Sequence, residues 1–217
     1  HNKSRTKNSK KYIKVNMIHF FGDSFTYCQG CTPEHEYYKR TFDGTQKTWV
    51  QLMSESVNDD YNNYGMPGVG NQKIIDSVVE NIKNIESGDI IFLSRTHDER
   101  LQIPHKNHFM DILPGMVYEH DDIDSDYYKT IDDYVKFILF PNFEVVTARY
   151  DILFNRITEY FESINVKCIR WDVENHTIRD GRAVYSIISD EHTDINDSHW
   201  SWKGHEQFFE LIKDELV

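Results

Sequence analysis

The sequence is poor in cysteine, with three in 217 residues. An odd, small number in a chain this long argues against a disulfide framework and points to a reducing compartment. Long apolar runs are missing too, so no segment approaches the length of a transmembrane helix. Tyr12–Phe21 follows a basic stretch, but Lys14, Asn16 and His19 interrupt it too often for a signal-peptide core. The expected location is therefore cytoplasmic, with no membrane partner. No internal repeat, low-complexity segment or linker divides the chain.

Metal-binding spacing is also missing. Eleven histidines invite a metal, yet no pair has the HExxH spacing of catalytic zinc. Cys28-Gln29-Gly30-Cys31 is a single CxxC without a second pair, which is weak support for zinc or thiol chemistry. Asp122-x-Asp124-x-Asp126 begins like a calcium loop. However, Tyr127 stands where the loop glycine belongs and Asp133 where a bidentate Glu belongs, so a solvated acidic loop is expected. No metal and no cofactor is expected.

Basic charge is scarce. There are 24 Lys and Arg against 36 Asp and Glu, a net charge of -12. Six of the basic residues lie in positions 1–16, which contain no acid, leaving 18 basic against 36 acidic residues beyond them. A body this acidic repels phosphate backbones and anionic surfaces, which excludes nucleic acid as an expected partner. Residues 1–16 are expected to be a flexible, solvated tail, and residues 17–217 a single domain. A hydrophobic content of 39% and an aromatic content of 14% are enough for a full core.

Hydrophobic periodicity predicts strands at Ile13–Phe21, Tyr61–Tyr64, Asp89–Leu93 and Val166–Trp171. It predicts helices at Thr48–Val57, from Asn71 to about Ser87, near Lys129–Phe140, at Phe143–Ser163 and at Trp202–Leu216. Asn71 is a candidate N-cap, with Ile74, Ile75, Val78, Val79 and Ile82 on the inward face of its helix. In the last helix Phe208, Leu211 and Ile212 face inward. Residues 95–128 read as a long irregular surface excursion, a candidate lid, and Asp172–Asp194 as a second irregular stretch. Strands alternating with helices imply an α/β architecture: three layers, α/β/α, around a central parallel sheet, with functional loops at the carboxyl edge of the strands.

Two short motifs stand at opposite ends of the chain. Phe20-Phe21-Gly22-Asp23-Ser24 follows the first strand, and Asp197-Ser198-His199-Trp200 precedes the last helix. A serine hydroxyl is a poor nucleophile until a base takes its proton, and the base needs an acid to fix its tautomer. Ser24, His199 and Asp197 supply the three types.

The chain resembles the SGNH/GDSL-type hydrolases, through separated blocks that cover most of its length. Gly22-Asp23-Ser24 matches the first block, Asn63-Tyr64-Gly65-Met66-Pro67-Gly68 the second, and Asp197-x-His199 with the following Gly204-His205 the last. Trp49-Val50-Gln51-Leu52 is also typical of the family. The resemblance implies a flavodoxin-like fold and an acyl-enzyme mechanism. It makes Ser24 the nucleophile, His199 the base and Asp197 the orienting acid. The oxyanion hole would comprise the Ser24 and Gly68 N–H groups and a third donor.

Two departures from the pattern bear on the site. The third block, usually Gly-x-Asn-Asp, is here Arg95-Thr96-His97-Asp98. It puts His97 where the Asn donor is expected, with Thr96 and Asn71 as other candidates for that role. In the last block the usual Asp-x-x-His becomes Asp-x-His, because Asn196 lies three before His199. Asp197 is the expected acid, with Asp194 in reserve. Asp-x-His-Trp also resembles polysaccharide O-acetyltransferases.

The expected function is hydrolysis of a short-chain or carbohydrate O-acyl ester. The alternatives are a polysaccharide O-acyltransferase with the same triad, or a non-catalytic binding domain on the same fold. Phe25, Tyr27, Trp200 and Trp202 are candidates for stacking on sugar rings, or for the core.

Overall fold

A computed structural model describes residues 16–57, 60–105, 108–112, 125–173, 177–178, 192–194 and 197–216. The central sheet is built from β1 (Ile18–Phe21), β2 (Tyr61–Asn63), β3 (Ile90–Arg95), β6 (Lys167–Asp172) and β7 (Thr177–Ile178). Their order is β2-β1-β3-β6-β7. The first four are parallel, with Ile18 opposite both Tyr61 and Ile90, and Ile90 opposite Lys167. Only β7 runs antiparallel, paired to the end of β6 through Trp171 and Ile178. The expected α/β/α architecture with a parallel sheet is therefore present.

The strands explain the layers. Along β1 and β3 every residue is buried, which is the mark of strands covered on both faces. The side chains alternate between two cores. Ile18, Phe20, Ile90, Phe92, Ile169 and Trp171 face one cluster, which also holds Trp49, Met53, Phe208 and Ile212. Phe21, Ile91, Leu93 and Cys168 face the other, with Ile74, Val78, Phe154 and Phe161. Helices α3 (Trp49–Val57) and α7 (Trp202–Ile212) thus cover one face, and α4 (Asn71–Asn81) and α6 (Phe143–Ser163) the other. Phe20 stacks on Phe92 at 5.1 Å and meets Trp49 edge-on at 5.0 Å, so ring geometry adds to area burial here. Such pairs contribute about 0.5–1.5 kcal/mol each beyond the area they bury.

Several elements differ from the sequence reading. Part of the stretch expected to be irregular is regular: β4 (Leu101–His105) and β5 (His108–Ile112) form an antiparallel ladder. The helix expected near Lys129–Phe140 starts earlier, as α5 (Ser125–Tyr134), then widens into a π-turn over Val135–Leu139. Within the stretch expected to be irregular before the last block, β8 (His192–Asp194) pairs antiparallel with β9 (Asp197–Trp200). In α4, Val79 is 60% exposed and Ile82 lies in a 3₁₀ turn beyond the helix, so its inward stripe is Ile74, Ile75 and Val78. The period of 3.6 carries Val79 past the edge of that stripe. The calcium-like residues 122–124 and most of Ile178–Ile188 lie outside the described residues, as does the tail 1–15. Among the described residues no helix is long and apolar enough to cross a membrane.

The elements that matter most are at one edge. The chain leaves β1 at Gly22, β2 at Tyr64 and β3 at Thr96, all at the carboxyl ends of neighbouring parallel strands. Loops at this edge are where α/β sheets bind ligands.

Candidate active site

Ser24 opens a one-turn helix, α1 (Ser24–Tyr27), immediately after β1. Asp23 is its N-cap: the backbone there is extended, and Oδ1 accepts the Phe25 N–H at 3.1 Å. The turn closes through Tyr27 N–H to Asp23 O at 2.9 Å and Gln29 N–H to Ser24 O at 2.9 Å. Asp23 is fully buried, and Ser24 nearly so. The other Asp23 oxygen accepts the Thr96 hydroxyl at 2.6 Å, and Arg100 Nη1 stands 3.8 Å from it.

The second block packs under this turn. Asn63 Nδ2 donates to Thr26 O at 2.9 Å while its Oδ1 accepts the Gly65 N–H at 2.9 Å. A Cβ at Gly65 would lie 2.4 Å from Tyr27 N, so no side chain fits between the two blocks. Met66 N–H donates to Gly22 O at 3.1 Å. Beyond it Gly68 is exposed and left-handed, at φ +73, with open space where a Cβ would stand.

The third block is a buried polar network. Asn71 is not the N-cap of α4; Gly70 is, and Asn71 is the first helical residue. Its side chain turns away from the helix end. Asn71 Nδ2 donates to Thr96 O at 3.0 Å and to Asp98 Oδ1 at 2.8 Å, while Oδ1 accepts the Thr96 N–H at 2.9 Å. Asp98 also accepts from Arg95 Nε at 2.9 Å and Arg95 Nη2, and Arg95 Nη1 reaches Asp151 on α6. Burial alone would lower the Arg95 pKa, but the hydrogen bond and charge of Asp98, then those of Asp151, raise it.

Three residues were expected as candidates for a third donor. Both hydrogens of the Asn71 amide and the Thr96 hydroxyl are committed to protein acceptors. His97 is the third candidate. It is partly exposed, and its Nδ1 lies 3.9 Å from Glu99 Oε1.

The last block reaches the Ser24 turn by packing. The His199 ring lies 5.5 Å from the Phe25 ring, and Trp200 lies 4.9 Å from the same ring. A Cβ at Gly30 would be 2.6 Å from Thr193 Cγ2 and 3.5 Å from His199 Cβ, so the loop after α1 lies flat against the β8–β9 pair. Cys31 Sγ donates to Trp200 O at 3.6 Å. The motif is thus on a strand and not at a helix start; α7 begins beyond it, with Ser201 Oγ accepting the Gly204 N–H at 3.2 Å. Asp194 and Asp197 face each other in register across β8 and β9. The side chains of both lie outside the described part, so the choice of triad acid does too.

Other residues singled out from sequence have core roles. Trp200 packs on Phe208 at 4.5 Å and on Trp171 at 5.6 Å, which removes it from any sugar-stacking surface. Trp202 is buried beside α2 (Glu36–Thr41), its Nε1 donating to Thr41 Oγ1 at 3.0 Å. Cys28, Cys31 and Cys168 are free thiols, all buried. Burial pushes Cys28 up to about 12, and Cys31 is raised as well, so neither is a thiolate at neutral pH.

No family model and no curated protein sequence matches the chain. Solved structures do resemble it. The lipase Lip_vut3 from a goat rumen metagenome is 12% identical and covers 92% of this chain and 97% of its own, with a TM-score of 0.52. A member of the lipolytic protein G-D-S-L family from Veillonella parvula DSM 2008 is 16% identical over 92% of this chain and 97% of its own, at a TM-score of 0.39. What the likeness to Lip_vut3 shows is a shared fold.

Proposed function

We propose that this chain, folded as SGNH/GDSL-type hydrolases are, is a serine-dependent ester hydrolase acting on a short-chain or carbohydrate O-acyl ester. The observation that carries the reading is the packing of two motifs 175 residues apart in sequence. The His199 ring rests 5.5 Å from the ring of Phe25, the neighbour of Ser24. A lone Gly-Asp-Ser turn needs no late histidine beside it.

In this reading His199 takes the Ser24 proton as the hydroxyl attacks the ester carbonyl. Asp197 orients the imidazole and stabilises its charged form. The oxyanion is met by the N–H groups of Ser24 and Gly68. His199 then protonates the leaving alcohol, and water releases the acid. The open space around Gly68 suits a backbone donor that a substrate must approach closely.

The test is hydrolysis of p-nitrophenyl esters, acetyl through octanoyl, by wild type and Ser24→Ala. Turnover abolished in the variant supports the reading, and the chain-length profile gives the acyl preference. Equal rates in both proteins would overturn it. Transfer of acetyl to an added oligosaccharide in preference to water would move the assignment to an O-acyltransferase.

A further inference from the structure

The Arg100 guanidinium touches both segments that carry the proposed backbone donors. Nη1 donates to Val69 O at 3.2 Å, one residue beyond Gly68. The same nitrogen stands 3.8 Å from Asp23 Oδ2, one residue before Ser24. The Arg100 backbone is pressed on the same loop: a Cβ at Gly70 would meet Arg100 O at 2.7 Å. Arg100 is itself fixed by its own turn, its N–H donating to His97 O at 3.2 Å.

Gly68 needs such fixing. It is exposed and left-handed, with open space on its Cβ side, so no side chain of its own anchors it. Its orientation depends on the anchors either side. On the entry side, Met66 N–H is bound to Gly22 O at 3.1 Å. On the exit side, the Val69 side chain is buried and its carbonyl is held by Arg100. One nitrogen thus carries a hydrogen bond to the loop and an ion pair to the Asp23 carboxylate, so a fixed planar charge stands between the two segments.

We propose that Arg100 is the positioning residue of the oxyanion hole, holding the Gly68 loop and the Ser24 turn in fixed relation. The inference rests on the serine-hydrolase reading. The role concerns the two backbone donors and is independent of His97, the side-chain candidate in the third block.

The experiment uses Arg100→Met and Arg100→Lys in the full chain, with p-nitrophenyl acetate as substrate and amide NMR as a readout independent of turnover. Arg100→Met should lower kcat about 10- to 100-fold, part of the roughly 10²–10³-fold that loss of a whole donor costs. KM should stay within about twofold, because the ground-state carbonyl makes little use of the hole. The Gly68 and Ser24 amide resonances should shift, while those of α6 stay in place. Arg100→Lys should recover part of the rate through one remaining donor. A purely structural role would instead lower thermal stability and move resonances throughout the molecule, without splitting kcat from KM. Wild-type kcat in a folded Arg100→Met variant, or an unmoved Gly68 resonance, overturns the proposal. If the wild type neither turns over ester nor is labelled at Ser24 by a fluorophosphonate, the serine reading itself fails and the proposal falls with it.

Discussion

The Thr96 hydroxyl donates to the buried carboxylate of Asp23 at 2.6 Å, joining residues 73 apart in sequence. The bond fastens the end of β3 to the cap of the helix that carries Ser24. A buried carboxylate needs its acceptors filled, and Asp23 also takes the Phe25 N–H. Thr96 is held in turn by Asn71, and Asn71 by Asp98. The Ser24 turn is therefore the outer end of a polar chain that runs through the third block to Arg95 and α6.

Thr96→Val tests the first link. The variant keeps the shape and removes the donor to a charged acceptor, so it should lose about 1.5–3 kcal/mol in urea unfolding. Ester turnover should fall with it, because the cap of α1 loosens. Thr96→Ser should restore both. A Thr96→Val protein as stable as wild type would show that Asp23 does not depend on this bond.

The inner link is the buried pair Arg95–Asp98. Breaking it on one side leaves an uncompensated charge, so Arg95→Met should cost about 3–5 kcal/mol. Adding Asp98→Asn should return much of that loss, since an amide oxygen still accepts from Asn71 and no buried charge remains. Chemical denaturation of both proteins reads the difference. Additive losses in the double variant would rule out the pairing as the source of the effect.

The two glycines of the second block should respond in opposite ways. A Cβ at Gly65 meets backbone atoms of Thr26 and Tyr27, the nearest at 2.4 Å, and backbone cannot step aside cheaply. Gly65→Ala should therefore displace the Ser24 turn and give little folded protein. Gly68→Ala meets nothing and is opposed only by its left-handed backbone, roughly 1–2 kcal/mol. It should fold. Circular dichroism melts of the pair decide the point, and equal melting temperatures would contradict it.

The layers of the fold were legible in the sequence because Phe20, Phe21, Ile90, Ile91, Phe92 and Leu93 form uninterrupted apolar runs, which suit strands buried on both faces. The first block was legible for a local reason: Gly22-Asp23-Ser24 is a cap and a turn. The β4–β5 ladder was not, because Pro104, His105 and His108 mask the alternation that marks a strand. Asn71 has the composition of an N-cap, standing before an apolar helical stripe, but its Oδ1, the oxygen a cap would use, accepts the Thr96 N–H, while Thr96 O and Asp98 take its Nδ2 hydrogens. Arg100 carried no signal at all, since its meaning lies in two oxygens 31 and 77 residues away along the chain.

His205 supplies the last test. It lies in α7, buried edge-on against Trp200 at 5.8 Å, and neither ring nitrogen has a hydrogen-bond partner among the described residues. Burial, and after it the neighbouring charge of His199, pull its pKa down to about 3. The unfolded chain should titrate this group near 6.5. Between those values the unfolded state binds a proton that the folded state refuses, so stability rises with pH across that window. The contribution is fully present above about pH 6.5 and is lost progressively as pH falls toward 3. At about 1.4 kcal/mol per pH unit, moving from pH 7 to pH 5 should cost on the order of 2 kcal/mol through this residue. His205→Leu removes both the titration and a buried unpaired N–H, so it should be more stable than wild type at every pH, and by a growing margin under acid. Urea unfolding of both proteins at pH 5 and pH 7.5 isolates the effect, since the carboxylates common to both cancel in the difference. Parallel stability profiles would mean that His205 keeps its proton equilibrium on folding and is not held neutral behind Trp200.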